Sequence, residues 1–359
     1  MIPTTQYISK KTNVFKWGIF FFSTIWSLLA KAQDPQFSQY YSAPLYLNPA
    51  FAGSSGCSRI VSNFRNQWFA LNQPYNTFAF SFDHNLDRYN SGVGVQFVSD
   101  QVGKNGISTL NGSLFYAYRI DFSPKHSLRA GIQGGIMSKH LDILQLTFPD
   151  QFTNDGFQEN TSGDYANKRL RTYFASISSG LLYYSSSFWL GLAAHHLNEP
   201  NHSFFTEKGN AQLPVKLSLH SGYKFSVNKK LLHGKMPEKM KYLTPTFLFK
   251  HQGSFTQLDL GIYYSSTPIF IGFWYRGIPF LKSSESYTNR DALVIQGGFR
   301  FDKLNLGYSF DYTMSNLSSF ARGSHEISLG YVVCRGYKKP KQRLQKLPCP
   351  DFYNNELAR

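Results

Sequence analysis

The sequence is poor in charged residues, has few cysteines, and lacks a long apolar run beyond its first 32 residues. Charged residues are 16% of the 359, against roughly 25% in ordinary soluble domains. Aromatic residues reach 17%, and this combination suits a surface that faces something less polar than water. The same composition excludes an intrinsically disordered chain, because there is ample apolar surface to bury.

Signatures of catalysis, metal binding and nucleic-acid binding are missing as well. The sequence has no phosphate loop, Rossmann glycine pattern, zinc-finger spacing or helix-turn-helix pattern. The adjacent His195-His196 pair does not have the spacing of a metal clamp. We therefore expect no enzyme activity, no cofactor, no metal and no nucleic-acid partner.

The chain has three cysteines, and none of them stands at CxxC spacing. An oxidising compartment allows them one disulfide and leaves one thiol over. Cys57 can pair with either Cys334 or Cys349, and the sequence does not choose between them.

Residues 1–32 predict a signal peptide that is cleaved. A basic stretch ending at Lys16 precedes the apolar run Trp17–Ala30, and Ala30-Lys31-Ala32 supplies small residues for cleavage before Gln33. The run has 14 residues, whereas a transmembrane helix takes about 20. Removal of the leader lowers the net charge from +16 to about +12, because the leader carries four lysines.

The remaining chain shows the alternation with period two that is typical of β-strands. In residues 78–83, for example, three phenylalanines alternate with alanine, serine and aspartate. Fourteen such segments are predicted, approximately at residues 59–69, 76–83, 91–99, 106–119, 127–139, 171–184, 187–196, 213–225, 242–250, 254–264, 268–277, 291–301, 304–313 and 323–333.

Two sets of connections separate these segments. Long links at 140–170, 197–212 and 278–290 fall on one side, and tight turns such as Ser185-Ser186 fall on the other, as in bacterial outer-membrane barrels. We therefore predict an all-β fold, a 14-stranded antiparallel transmembrane β-barrel with short periplasmic N- and C-terminal segments. A secreted β-sandwich or propeller is the alternative, because alternation alone does not exclude it.

The predicted organisation is a periplasmic N-terminal segment at 33–58, the outer-membrane barrel at 59–333 and a basic periplasmic tail at 334–359. Prolines and turn-forming residues crowd the first of these. It is either a plug or docking segment ahead of the first strand, or an ordered lead-in that packs against the barrel mouth.

Several sequence blocks resemble the PorP/SprF family of Bacteroidetes outer-membrane proteins. They are QDPQFSQYYSAPLYLNPAFAGSSG at 33–56, RNQW at 65–68, WYRG at 274–277, SFDYT at 309–313, GSHEISL at 323–329 and PCPDF at 348–352. The family-like positions at the N-terminus are Asp34, Pro35, Gln36, Phe37, Ser38, Gln39, Tyr40, Asn48, Pro49 and Gly53, and those near the C-terminus are Gly323, Ser324, His325 and Glu326.

The resemblance implies a 14-stranded, non-enzymatic outer-membrane component of type IX secretion and gliding motility. The count of fourteen strands is therefore not independent of it. Such members aid secretion or surface attachment of substrate proteins, so the implied partners are outer-membrane lipids, subunits of the secretion machinery, and a secreted substrate or surface adhesin. The alternative function is a passive outer-membrane porin or solute channel.

Two basic clusters fall on the predicted periplasmic side of the barrel. They are candidates for docking an acidic partner, because opposite charge speeds encounter and sets orientation. Solvated turns and tails, or contacts with anionic lipid headgroups, are the alternative interpretation. The first cluster is Lys229, Lys230, Lys235, Lys239 and Lys241, and the second is Arg335, Lys338, Lys339, Lys341, Arg343 and Lys346.

Overall fold

Fourteen antiparallel strands form a closed barrel in the computed structural model, which confirms the fold predicted from the sequence. The structure describes residues 34–71, 74–103, 106–142, 151–153, 156–157, 169–204, 211–227, 241–282, 288–301, 303–314 and 322–334. The leader lies outside these residues. Within the described part, no helix has the length and apolar character needed to cross a membrane.

The barrel strands are labelled in chain order. They are β1 (Ser58–Gln67), β2 (Tyr75–Leu86), β3 (Ser91–Val102), β4 (Ile107–Ser123), β5 (His126–Asp142), β6 (Arg169–Tyr184), β7 (Phe188–His195), β8 (Lys216–Tyr223), β9 (Lys241–Gln252), β10 (Phe255–Ser266), β11 (Ile269–Lys282), β12 (Thr288–Phe301), β13 (Leu304–Thr313) and β14 (Ser324–Val333).

Each strand pairs with its neighbours in sequence, and β1 pairs with β14 to close the sheet. The closing register runs from Ser58 opposite Val333 to Gln67 opposite Ser324. Closure leaves no strand edge with unpaired backbone groups, which is the condition for a sheet surrounded by lipid.

Small elements complete the described chain. A four-residue helix, α1 (Pro44–Leu47), lies between 3-10 turns before β1, and another 3-10 turn joins β2 to β3. Short strand pairs occur in the β5–β6 connection and as an extension of the β8–β9 hairpin. Their bounds are Tyr40–Ser42, Pro49–Phe51 and Asp87–Tyr89 for the 3-10 turns, and Phe152–Thr153, Gly156–Phe157 and Phe225–Ser226 for the short strands.

The two ends of the barrel differ in their connections. We call the end where β1 begins the turn end, because connections there include Thr267-Pro268 and residues 185–187. The opposite end, the loop end, carries the long connections at 143–168 and 196–215. At the turn end, the connection between β8 and β9 spans residues 224–240. The predicted link at 278–290 is shorter than expected, because β11 and β12 continue to Lys282 and from Thr288.

The barrel exposes its apolar side chains on the outside. The alternating phenylalanines of β2, Phe78, Phe80 and Phe82, are 43%, 37% and 37% exposed, and the residues between them are buried. Leu114 and Ile136 on neighbouring strands are more exposed still. A soluble sandwich would bury such a face, so this belt belongs against lipid.

The Cys57–Cys334 disulfide links the residue before β1 to the residue after β14. It therefore fastens the closing seam of the barrel at the turn end. Of the two pairings that the sequence left open, the structure has this one. Cys349 lies outside the described residues.

Candidate functional site

The barrel lumen contains the segment that precedes β1. Residues 35–56, which we call the plug, are nearly all buried, and Leu45, Ala50 and Ala52 are fully so. The sequence left open a plug or docking segment and a lead-in that packs against the barrel mouth. The structure has the segment inside the barrel, as a plug, in contact with inward-facing side chains from strands all round the wall.

Short turns allow the plug to fill a round lumen. Pro44 and Pro49 each start a helical turn, where a missing N–H costs nothing. Asn48 caps the second turn by accepting from the Ala50 N–H at 2.9 Å. Its amide nitrogen donates to the carbonyls of Leu181 and Leu192 at 3.1 and 3.0 Å. One asparagine thereby shapes the plug and fixes it to the wall.

A buried set of charges holds the N-terminal part of the plug. We call it the loop-end network, and it consists of Arg65, Asp259, Arg276, Asp311 and Glu326. Each residue lies seven positions along its strand from the turn end. With roughly 35–45° of strand tilt and a rise of about 3.3 Å per residue, this is about 16–19 Å from that end.

Ion pairs connect the network across the barrel wall. Arg65 contacts Asp311 at 2.7 Å and Glu326 at 3.3 Å, and Arg276 contacts Asp311 at 3.0 Å. Arg276 also lies 3.5 Å from Asp259. All of these side chains are at most 3% exposed. The Lys250 ammonium lies 3.6 Å from Asp259, so the three buried carboxylates face three cations.

Ser38 is the centre of the contacts between the plug and the network. Its N–H donates to Oε2 of Glu326 at 2.6 Å, and its hydroxyl donates to Oδ2 of Asp311 at 2.6 Å. The Arg276 guanidinium donates to the same hydroxyl oxygen at 2.9 Å. The Gln39 N–H adds a second bond to Glu326, at 3.1 Å.

Tyr40 extends these contacts to the opposite side. Its hydroxyl donates to Asp259, and its ring packs edge-on against Trp274. Burial, reinforced by the negative charge of Asp259, raises the pKa of Tyr40 well above its ordinary value. The phenol therefore stays protonated and remains a donor.

A second set of charges, the turn-end clamp, holds the C-terminal part of the plug. Arg59 pairs with Asp83 through two hydrogen bonds of 2.8 and 3.1 Å. The Oδ2 atom of that carboxylate, which also accepts from Arg59, accepts from the Gly53 N–H at 2.8 Å. Arg129 donates to the Ala50 carbonyl at 3.0 Å and also to the Ala52 carbonyl. Arg129 thereby supplies the hydrogen-bond donors that these two buried plug carbonyls require.

Wall glycines make room for the plug backbone. A Cβ at Gly131 would lie 2.4 Å from the nitrogen of Ala50, and a Cβ at Gly92 would lie 2.1 Å from the carbonyl oxygen of Ala52. Any larger residue would push the plug away from the wall. Gly53 has φ +70°, a conformation that favours glycine, at the turn where the plug leaves the lumen.

The family-like sequence blocks meet in this site. Ser38, Gln39 and Tyr40 come from the first block, and Arg65, Arg276, Asp311 and Glu326 come from four of the others. These four residues lie on strands β1, β11, β13 and β14. In the sequence these blocks are separate marks of a resemblance, and their convergence in space was not predicted. Charged residues at inward-facing positions of otherwise apolar strands were a signal that could have indicated this site.

The remaining C-terminal motif residues have structural positions. Ser324 is buried at the start of β14, and Gly323 before it has φ +100°. His325 points to the other face of the strand, where it bonds the Tyr308 hydroxyl at 2.8 Å and packs against Phe69. The motif thus divides between the lumen and the outer face.

The remaining N-terminal motif residues mostly lie in the plug. Gln36 accepts from the Lys250 ammonium at 3.3 Å, and Phe37 packs edge-on against Tyr46. The Pro35 carbonyl accepts from the Tyr46 hydroxyl. Asp34 is the first described residue of the chain.

The predicted docking clusters are almost entirely outside the described residues. Lys241, exposed at the turn end of β9, is the member that the structure describes. The other ten lysines and arginines of the two clusters lie at 228–240 and 335–359, outside the described part of the chain. Within the described residues, no group of three or more His, Cys, Asp or Glu side chains could hold a metal ion.

An apolar outer belt around a closed antiparallel sheet, with a polar and packed interior, defines this protein as an outer-membrane β-barrel. The chain belongs to the PorP/SprF family of type IX secretion system membrane proteins, whose family model matches residues 29–331. This is a family of secretion-system membrane components rather than of enzymes, and membership implies interaction with components of that machinery.

Solved structures of other barrels resemble the chain at low identity. The CymD monoaromatic hydrocarbon channel is 13% identical with a TM-score of 0.46, covering 82% of this chain and 94% of that one. The P. putida toluene transporter TodX is 11% identical with a TM-score of 0.44, covering 80% and 92%. The Acinetobacter baumannii outer membrane protein Omp33 is 7% identical with a TM-score of 0.39, covering 77% and 98%. Comparison with curated proteins gives no match.

Proposed function

We propose that this protein is a non-enzymatic component of the type IX secretion and gliding machinery that aids secretion or surface attachment of substrate proteins. It would be exported by the signal peptide at 1–32, with its mature start near Gln33. The turn end would face the periplasm, since short periplasmic turns and long external loops are the rule for outer-membrane barrels.

The plug is the observation that carries this proposal over the alternative of a passive channel. An open pore would leave the lumen side chains wet. Instead Phe51 and Tyr41 in the plug are 1% and 2% exposed, and Trp189 on the facing wall is fully buried. Tyr41 accepts from the Trp189 indole at 3.2 Å, so the packing is specific as well as tight. A barrel filled in this way is suited to holding partners at its two faces.

The partners would meet the barrel at different ends. Secretion subunits would dock at the turn end, where Lys241 and the rest of the two basic clusters supply positive charge for an acidic partner. A secreted substrate or adhesin would engage the loop end. In this arrangement the mature chain consists of an N-terminal segment at 33–58, the barrel at 59–333 and a basic tail at 334–359. Residues 35–56 of the first segment lie in the lumen.

Deletion of the gene, followed by an assay of cargo on the cell surface, tests the role. We expect at least one cargo protein to fail to reach or stay on the surface, and the wild-type gene to restore it. Paralogues must be deleted first, because they can mask the loss. Normal display of every cargo in that background would rule the role out.

A further inference from the structure

The direction in which the plug crosses the lumen is fixed by its contacts. We infer that the plug is threaded with its N-terminal end towards the loop end of the barrel, so that this end of the mature chain faces the cell exterior. The second half of this inference rests on the proposed orientation, in which the turn end is periplasmic.

The C-terminal half of the plug contacts wall residues close to the turn end. Gly53 bonds Asp83, which lies three residues before the end of β2. Ala50 bonds Arg129, three residues after the start of β5. At roughly 35–45° of tilt, three residues correspond to at most about 8 Å along the barrel axis.

The N-terminal end of the plug contacts wall residues much further along. Ser38 bonds Asp311 and Glu326, both seven residues from the turn end. Phe37 packs in one cluster with Ala79 and Val98, which also lie seven residues from it.

The first plug residues also contact the half of the wall that is nearer the loop end. Gln36 meets Lys250, nine residues after the start of β9. Pro35 is held by Tyr46, whose ring lies under the ammonium of Lys216, 4.9 Å away. Lys216 is the first residue of β8 at the loop end. The contacts of Gly53 and Ala50 thus lie three strand positions from the turn end, and those of residues 36–38 lie seven to nine positions from it.

A partner that approaches from outside would meet residues 34–36 at the floor of the loop-end mouth, in front of the buried Phe37 and Ser38. The rim beside that floor carries Lys216 and Lys250, each against a plug tyrosine ring. The N-terminal end of the plug is thus part of the external surface of the protein.

Cysteine labelling on intact cells tests the direction. In a Cys349→Ser background, three single variants place a thiol in the plug (Gln36→Cys), at the loop end (Ser254→Cys) and at the turn end (Lys303→Cys). Ser254 and Lys303 are both exposed residues in short connections, so they are matched controls for the two faces. Each is treated with a membrane-impermeant maleimide before and after the outer membrane is permeabilised.

We expect Gln36→Cys and Ser254→Cys to react on intact cells, and Lys303→Cys to react at least about ten-fold more strongly after permeabilisation. Reaction of Gln36→Cys only after permeabilisation, or only after denaturation, would overturn the inference. If Lys303→Cys but not Ser254→Cys reacts on intact cells, the turn end faces the exterior. The proposed orientation, and with it the second half of the inference, is then wrong. None of these outcomes depends on cargo display, so this test and that of the function fail separately.

An inserted epitope gives a second measurement in case Gln36→Cys does not fold. An eight-residue epitope placed immediately before Pro35 is probed with antibody on intact cells, and the same epitope placed after Arg359 is the control. We expect the first to be stained on intact cells and the second only after permeabilisation. The reverse pattern would contradict the threading.

Discussion

The backbone N–H of Ser38 donates a 2.6 Å hydrogen bond to the carboxylate of Glu326, 288 residues further along the chain. Ser38 lies in the plug and Glu326 in the last strand, so this bond joins the lumen segment to the strand that closes the barrel. Glu326 also pairs with Arg65 on β1, the other side of the closing seam. Plug insertion and barrel closure are therefore parts of one interaction.

Replacement of Glu326 by glutamine tests this coupling. The variant keeps the size of the side chain but removes a buried charge that faces Arg65 and two plug N–H groups. We expect a loss of about 3 kcal/mol of unfolding free energy, because breaking a buried pair leaves the partner charge uncompensated. Urea unfolding of the detergent-folded protein, followed by gel mobility, measures it.

Glu199 provides the control for that variant. It is an exposed glutamate in the connection after β7, and Glu199→Gln should change stability by less than about 0.5 kcal/mol. Equal stability of the two variants would mean that Glu326 does not hold the plug.

Glycines of β5 provide a matched test of the plug's fit to the wall. A Cβ at Gly131 would collide with the plug backbone, whereas a Cβ at Gly134 meets nothing within 4 Å. Gly131→Ala should therefore destabilise the protein by about 1–3 kcal/mol, as overpacking does. Gly134→Ala should be close to neutral in the same unfolding assay. Two equally tolerated alanines would show that the plug does not press on β5.

The Cys57–Cys334 disulfide predicts a specific cross-linked peptide. Proteolysis without reductant, followed by mass spectrometry, should recover the segments around these two residues joined together. Cys57→Ser should lower stability by about 2–4 kcal/mol, since the bond constrains the unfolded chain. Cys349→Ser should leave both the peptide and the stability unchanged. A Cys57–Cys349 peptide would contradict the observed seam.

The first basic cluster predicts salt-dependent retention of a secretion subunit. Glutamine at positions 229, 230, 235, 239 and 241 should weaken co-purification at low salt, and the difference should shrink at high salt, where screening already removes the attraction. Arginine at the same five positions preserves the charge and should retain the partner. Unchanged co-purification of the glutamine variant at low salt would count against docking there.

The strands could be predicted because lipid imposes a local rule on the chain. An outward residue must be apolar and its neighbours need not be, so Phe78, Phe80 and Phe82 reveal both the strand and its phase. The same rule located the tight turns. It could not predict where β11 ends and β12 begins, because backbone pairing continues there beyond the segments predicted from the alternation.

A plug was one of two alternatives for residues 33–58, but its contacts could not be predicted in the same way, because its partners are set by register and closure. Nothing in the local sequence connects Ser38 to Arg65 and Asp311, which meet only once β1 and β14 are paired at a particular offset. The role of Gly131 could not be predicted for the same reason. In the sequence it is one strand glycine among many, and only the plug backbone that lies against it requires a glycine there.

The central claim is that the plug closes the barrel, so that the protein acts through partners rather than as a channel. Single-channel recording of the purified mature protein in planar bilayers tests it most directly, with an open porin as a control for insertion. We expect inserted protein with no steady conductance, and brief openings when Glu326→Gln or Gly131→Ala loosens the plug. A steady, large conductance from the wild-type protein would contradict it.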